Sequence, residues 1–207
     1  MYRDDALPAK TRVRNPAQTR ERLLSAAFEE MHRSGFRGTD LETILARAGV
    51  TKGAMYHHFP GKQAIGYAVV DEVIAEVTRR KWLEPLAEAA DPIATLIAII
   101  ESTPFTAEDL EKGCPLSNFS QEMSPLDEGF RMRTGAVTRA WREAIAEALR
   151  RGQAAGLVSR AVNAEDEAVF LIAAYQGGLS LAKNTQDEAT LRASQRTLVR
   201  HLESLRA

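Results

Sequence analysis

The chain has 207 residues, 44% hydrophobic, 27% charged and 6% aromatic, a composition that supports one or two globular domains and excludes compositional disorder. Its one cysteine, Cys114, excludes an internal disulfide framework and a cysteine-rich metal centre. The longest apolar window, residues 93–100, falls far short of the roughly 18 residues of a membrane span, and residues 1–14 carry acidic side chains and no apolar run, unlike a secretory leader. These features predict a cytoplasmic protein with no membrane partner.

The formal net charge is only −1, but it is unevenly spread. Residues 1–67 hold eleven Lys and Arg against seven Asp and Glu, a surplus of four positive charges; residues 68–207 hold sixteen against twenty-one. One end suits a phosphate backbone and the other does not, which points to two parts with different tasks.

Taken in order, the elements read as all-α, about nine helices, because no segment shows the bounded alternation of a hairpin strand. Residues 1–14 form a basic tail predicted to be flexible. Asn15, Pro16 and Gln18 fit the N-cap, N1 and N3 of a first helix, with Leu24, Ala27, Phe28 and Met31 on its apolar face and Gly35 at its end. Thr39 and Glu42 have the spacing of a capping box for a second helix bearing Leu41, Ile44, Leu45 and Ala48, closed by Gly49. Thr51 is placed to cap a third helix, Lys52 to Phe59, ended by Pro60 and Gly61. A fourth helix, 62–84, carries Ile65, Val69, Val73 and Val77 and is expected to stop at Pro85. Asp91-Pro92, Ser124-Pro125, Asn163 and Asp187 then open further helices, the second of these with a stripe of Leu126, Phe130, Val137, Trp141, Ile145 and Leu149. Phe170, Ala174 and Leu181 mark the face of the next, and Leu191, Leu198, Leu202 and Leu205 that of the last. With no Gly/Ser linker or repeat, the division falls at 15–62 and 63–207, with the fourth helix shared.

Residues 39–60 have the form of a helix-turn-helix. Leu41, Leu45, Ala48, Val50 and Met55 would face inward, leaving Thr51, Lys52, Gly53, Tyr56 and His57 on the outside of the short second helix. Lys52 suits guanine edges, Gly53 permits close backbone approach, and Tyr56 and His57 suit phosphate oxygens. A glycine inside a helix costs roughly 1 kcal/mol against alanine and so calls for a reason. His57 and His58 are adjacent, about 100° apart on a helix with no third ligand nearby, so no metal and no other cofactor is predicted.

The runs Phe36-Arg37-Gly38-Thr39 and Ala48-Gly49-Val50-Thr51-Lys52-Gly53-Ala54-Met55-Tyr56-His57-His58-Phe59-Pro60-Gly61-Lys62 resemble the N-terminal DNA-binding domain of TetR-family transcriptional regulators. The resemblance covers about residues 16–70. It implies an all-helical homodimer that binds a near-palindromic operator and a C-terminal domain that takes a small-molecule effector, with repression as the family default. It further implies that Thr39, Tyr56 and Lys62 hold phosphates, with Arg37 and Thr51 as weaker additions. In the C-terminal half, Gly113-Cys114-Pro115-Leu116-Ser117-Asn118-Phe119 resembles a Gly-Cys-x-x-x-Asn segment of a TetR subgroup, some members of which respond to reactive electrophiles.

Trp82, Phe105, Phe119, Met123, Phe130, Trp141 and Tyr175, with the polar Asn118, Glu122 and Gln176, are candidates for the lining of an effector pocket between helices. Cys114 reads either as an inert core thiol or as a sensor, with Lys183 a possible partner for its thiolate. Two other classes stand beside the regulator. A thiol enzyme would use Cys114 as nucleophile, but His32, His57, His58 and His201 all lie far from it in sequence, and no phosphate loop or triad signature is present. An architectural helical module would not require Thr39, Gly49, Gly53, Tyr56 and Lys62 all in place.

Overall fold

The computed structural model describes residues 16–102 and 107–207, and among them the ordered elements are helices with a single isolated bridge, Val158 to Arg206. The tail, the Asn15 cap and Phe105 lie outside the described residues. No helix among those described is long and apolar enough to cross a membrane.

Helix α1 spans Pro16–Gly38, broken at Gly35 (φ 77°, ψ 164°). Its buried face, including Leu23, Leu24, Ala27 and Met31, packs on α2, Leu41–Ala48. The capping box expected at Thr39 does not form: its hydroxyl donates back to Gly35 O at 2.7 Å, and Asp40 takes the N-cap without a side-chain bond. Gly49 closes α2 in the left-handed region (φ 59°). Thr51 caps α3 by accepting from Ala54 N–H at 3.3 Å, but α3 is only Lys52–Tyr56, because His58 N–H and Phe59 N–H both turn back onto Met55 O.

Helix α4 begins at Lys62 and runs on through Pro85 to Ala87, contrary to the stop expected there. It is α-helical over Lys62–Ala68, Ala75–Thr78 and Glu84–Ala87, with wider π-type turns at Val69–Ile74 and Arg79–Leu83. Pro85 falls in the first turn after the second wide segment, where its missing N–H costs no α-type bond.

The C-terminal helices are α5 (Pro92–Glu101), α6 (Ala107–Lys112), α7 (Pro115–Met123), α8 (Glu128–Ala154), α9 (Ala164–Thr185) and α10 (Glu188–Ser204). Asp91, Asn163 and Asp187 cap their helices as the sequence indicates. For α8 the cap is Asp127, accepting from Phe130 N–H at 2.9 Å, since Ser124 still belongs to the end of α7. That shift leaves Leu126 exposed.

Helix α8 packs on α9, and α9 on α10. One buried cluster runs from Leu23 to Leu205 through both halves of the chain. Val169, Phe170 and Leu181 on α9 stay outside it, 52%, 48% and 59% exposed.

Candidate nucleic-acid interface and effector cavity

Helix α3 is seated by Met55 and Phe59, both buried, while Arg37, Thr51, Lys52, Gly53, Tyr56 and His57 are exposed. Among the described residues nothing outside its own helix backbone lies within 4 Å of where a Cβ on Gly53 would stand, so no packing among them explains this glycine.

Thr39 and Lys62, implied as phosphate holders, are turned inward. Thr39 is 1% exposed and its hydroxyl is spent on Gly35 O, so its side chain is out of a phosphate's reach. Lys62 Nζ donates to Phe36 O (3.0 Å) and Thr39 O (2.8 Å) and stands 4.7 Å over the Phe36 ring. Two of its three donors thus tie the corner between α1 and α2.

The corner is held from the other side by Glu122. Its carboxylate accepts Phe36 N–H at 2.7 Å and Arg37 N–H at 2.8 Å, and it fills the space beside Gly35, whose Cβ would stand 2.9 Å from Oε2. Near the start of α4, Gln63 Nε2 (2.6 Å) and the Tyr67 hydroxyl (2.8 Å) donate to Asp127. The Phe130 N–H at the helix cap, ahead of these two donors, holds the Asp127 carboxyl below its ordinary pKa. Phe130 itself packs on the Phe36 and Tyr67 rings, each with centroids 4.7 Å away, and on Phe119 at 6.0 Å. Glu122, Phe119, Met123 and Phe130 were expected in an effector pocket. The structure puts them instead in the joint between the N-terminal helices and the rest, because α7 and the start of α8 lie across α1 and α4.

The remaining candidates do gather. A cavity of about 510 Å³ is lined by Trp82, Cys114, Trp141 and Tyr175 and also by Phe28, Glu29, His32, Thr78, Lys81 and Lys112, which the sequence reading missed. Cys114, Asn118 and Gln176 border a smaller polar cleft with Lys183. There Asn118 bridges Lys112 O (2.7 Å) and Lys183 Nζ (3.4 Å). The signal for Thr78 and Lys81 was present in α4: with Ile74 and Trp82 they repeat at helical spacing, two polar groups on an otherwise apolar face.

In the cavity, Trp82 and Trp141 meet at 4.8 Å, and Tyr175 stands edge-on to both at 5.0 and 6.0 Å. Lys81 Nζ donates to the Tyr175 hydroxyl at 2.7 Å. His32, expected to lie away from Cys114, is brought into the same cavity, where its Nε2 bonds Gly113 O at 2.9 Å. A carbonyl only accepts, so Nε2 carries the proton. Burial, the leading cause, holds the His32 pKa below its ordinary value and keeps the ring neutral. Burial also pushes the Cys114 thiol up, outweighing the Leu116 and Ser117 amides, the Lys81 charge and the Gln176 amide that favour its thiolate. Lys81 is a cation that bears on the sulfur. A raised thiol beside a neutral imidazole is the reverse of an activated nucleophile.

A helix-turn-helix with an exposed polar helix, joined through shared packing to an all-α domain with an aromatic-lined cavity, defines a one-component DNA-binding regulator. The comparisons agree. Residues 23–69 match the model of the bacterial regulatory proteins of the tetR family, and residues 92–198 match the tetracyclin repressor-like C-terminal domain. The chain is 29% identical over 165 residues to the HTH-type transcriptional repressor DhaR of Mycobacterium sp. strain GP1, covering 77% of this chain and 80% of that one. Among solved structures, a TetR regulator from Chloroflexus aurantiacus superposes with a TM-score of 0.79 at 28% identity, covering 92% of this chain and 97% of the other. The reduced form of E. coli NemR gives 0.78 at 25%, covering 91% and 97%. This chain belongs to the TetR family of transcriptional regulators. Regulators of this family bind DNA operators, typically as dimers that answer to small-molecule effectors.

Proposed function

We propose that the protein is a repressor that binds a near-palindromic operator as a homodimer and lets go when a small molecule enters the cavity beside Trp82 and Trp141. The observation that carries this reading is the face of α3: Thr51, Lys52, Gly53, Tyr56 and His57 exposed together, with a glycine that no packing among the described residues requires. Two copies would join through the exposed apolar side of α9, Val169, Phe170 and Leu181, with α10 beside it, making a four-helix bundle. Their α3 helices would then enter successive major grooves about 34–36 Å apart.

Release follows from the joint. The wall of the cavity at Gly113 to Leu116 leads directly into α7, and α7 carries Glu122 to the amides of Phe36 and Arg37. A ligand that prefers a shifted α7 therefore tilts the helix-turn-helix and weakens DNA binding in proportion to its preference. The raised thiol of Cys114 favours a reversible ligand over covalent modification as the trigger.

The test is operator binding by full-length protein on DNA selected from random pools. Affinity should fall steeply with salt, Lys52→Ala should weaken it, and Gly53→Ala should weaken it while raising thermal stability by about 1 kcal/mol through helix propensity. A Gly53→Ala protein that is more stable and binds the selected site as well as the parent contradicts the docking of α3. No enriched sequence would instead favour an architectural module.

A further inference from the structure

We infer that Arg22 is a positioning residue for DNA recognition: from helix α1 it holds the carbonyls of the turn between α2 and α3, and so sets the angle at which α3 is presented. This role rests on the proposed docking of α3 on DNA. Arg22 Nη2 donates to Ala48 O and, at 3.3 Å, to Gly49 O. The amides of the turn are already tied back onto α2, Gly49 N–H to Ala46 O at 3.1 Å and Val50 N–H to Leu45 O at 3.0 Å, as expected behind a left-handed cap. The carbonyls at this end lie at the negative pole of the helix dipole, where a guanidinium is a fitting partner. Gly49 also makes room for it. A Cβ there would stand 2.7 Å from the same Nη2, so the residue is a glycine for the guanidinium as well as for its φ of 59°.

A stripe on α1 supplies the grip. Arg22, Ala26 and Glu30 follow one another at four-residue spacing and share a face. Ala26 is buried and borders one cleft with Arg22, Arg47 and Ala48. Glu30 meets Arg47 of α2 at 3.3 Å. The end of α2 is thus held by a cation on its carbonyls and an anion on its last-turn arginine.

The Gly49 carbonyl needs no protein partner, since the residue is exposed and water would meet it, whereas ordering an arginine side chain costs entropy. What the guanidinium adds is a fixed distance from α1 to the turn. Thr51, the cap of α3, comes two residues after Gly49. At its other end α1 leads into the corner that Glu122 holds, so the same helix joins α7 to the mount of α3.

The experiment compares full-length parent with Arg22→Met, which keeps the apolar stem and loses the donors, and with Arg22→Lys, whose one ammonium can replace the one Nη2 that makes both bonds. Fluorescence anisotropy over a salt series gives the affinity for the sequence the parent enriches from random DNA and for a scrambled duplex. Hydrogen exchange in the free protein follows the amides of Val50 and Met55. Arg22→Met should bind the selected site roughly tenfold more weakly, the equivalent of about one lost base contact. Binding to the scrambled duplex should stay within about twofold, with an unchanged salt slope. Val50 and Met55 should exchange faster while the amides of α9 keep their protection. Arg22→Lys should recover most of the specific affinity. The ratio of the two affinities is read on folded protein, so a loss of stability alone does not move it. Equal weakening on both duplexes, with a salt slope lower by about one, would make Arg22 a phosphate ligand and overturn the inference. So would an Arg22→Met protein with the affinity ratio of the parent. A parent that enriches no sequence removes the docking of α3 itself, and this role with it.

Discussion

The carboxylate of Glu122 is the most exacting place to test how the two halves are joined. Glu122→Ala removes the acceptor for two backbone N–H groups, those of Phe36 at 2.7 Å and Arg37 at 2.8 Å, at a corner that Gly35 forms with a left-handed φ of 77°. Hydrogen bonds to a charged acceptor are worth about 1.5–3 kcal/mol each when the donor left behind is screened from water. Phe36 is buried and Arg37 is exposed, so the first bond counts near its full value and the second near the bottom of the range. The expected loss is about 4.5 kcal/mol for Glu122→Ala and about half that for Glu122→Gln, which keeps one neutral acceptor. Urea unfolding at constant m-value measures it, and amide hydrogen exchange localises it: Phe36 and Arg37 should lose protection while the amides of α9 keep theirs. Operator affinity should fall as well, since the corner aims α2 and α3. A Glu122→Ala protein within about 0.5 kcal/mol of the parent, with Phe36 still protected and operator binding unchanged, would refute the idea that α7 holds the N-terminal helices through this group.

Gly66→Ala should destabilise by about 1–3 kcal/mol, because the new methyl would stand 2.6 Å from the Phe36 ring and 2.7 Å from that of Phe130, two buried groups with no room to yield; thermal unfolding checks it. His32 has a folded pKa below its ordinary 6.5, so the unfolded chain takes the proton first and stability falls as pH drops below 6.5 toward the folded value. His32→Gln can still donate to Gly113 O and should flatten that part of the stability-against-pH curve, read from urea midpoints between about pH 7.5 and about pH 5. Cys114→Ser should still release DNA in response to a ligand bound in the cavity, measured by fluorescence anisotropy of labelled operator; loss of response with ligand affinity intact would make the thiol the switch.

What could be read from the sequence was what depends on near neighbours. The caps at Thr51, Asp91, Asn163 and Asp187, the turn at Gly49 and the outward face of α3 each rest on residues within one or two turns of one another. The errors fall where a break or a change of register in the helix overrides the preference of the residues at that position. Thr39 and Glu42 have the right spacing for a capping box, yet the break at Gly35 offers Thr39 a carbonyl four residues back, and burial at 1% exposure fixes that choice. Pro85 should end a regular helix, but the wide turn at Arg79–Leu83 has already changed the bonding register ahead of it. What the sequence does not show of Lys62 is that two of its three donors go to the carbonyls of Phe36 and Thr39, more than twenty residues away.

The cavity shows the same limit from the other direction. Its aromatic residues were legible as apolar positions on helices, but which of them share a space was not: Trp82 and Trp141 line it, whereas Phe119 and Phe130, equally apolar and at equally regular spacing, serve the joint. What sorts them is the crossing of α7 over α1, and this crossing also brings His32 to Gly113 and Glu122 to Phe36. One packing event therefore builds both the cavity wall and the clamp on the DNA-binding helices. The two cannot be tuned independently: any substitution that resettles α7 to admit a larger ligand also moves the carboxylate that aims α3. Variants selected for a new effector should accordingly carry compensating changes at the α1 corner, around Gly35 to Gly38, more often than on α3 itself.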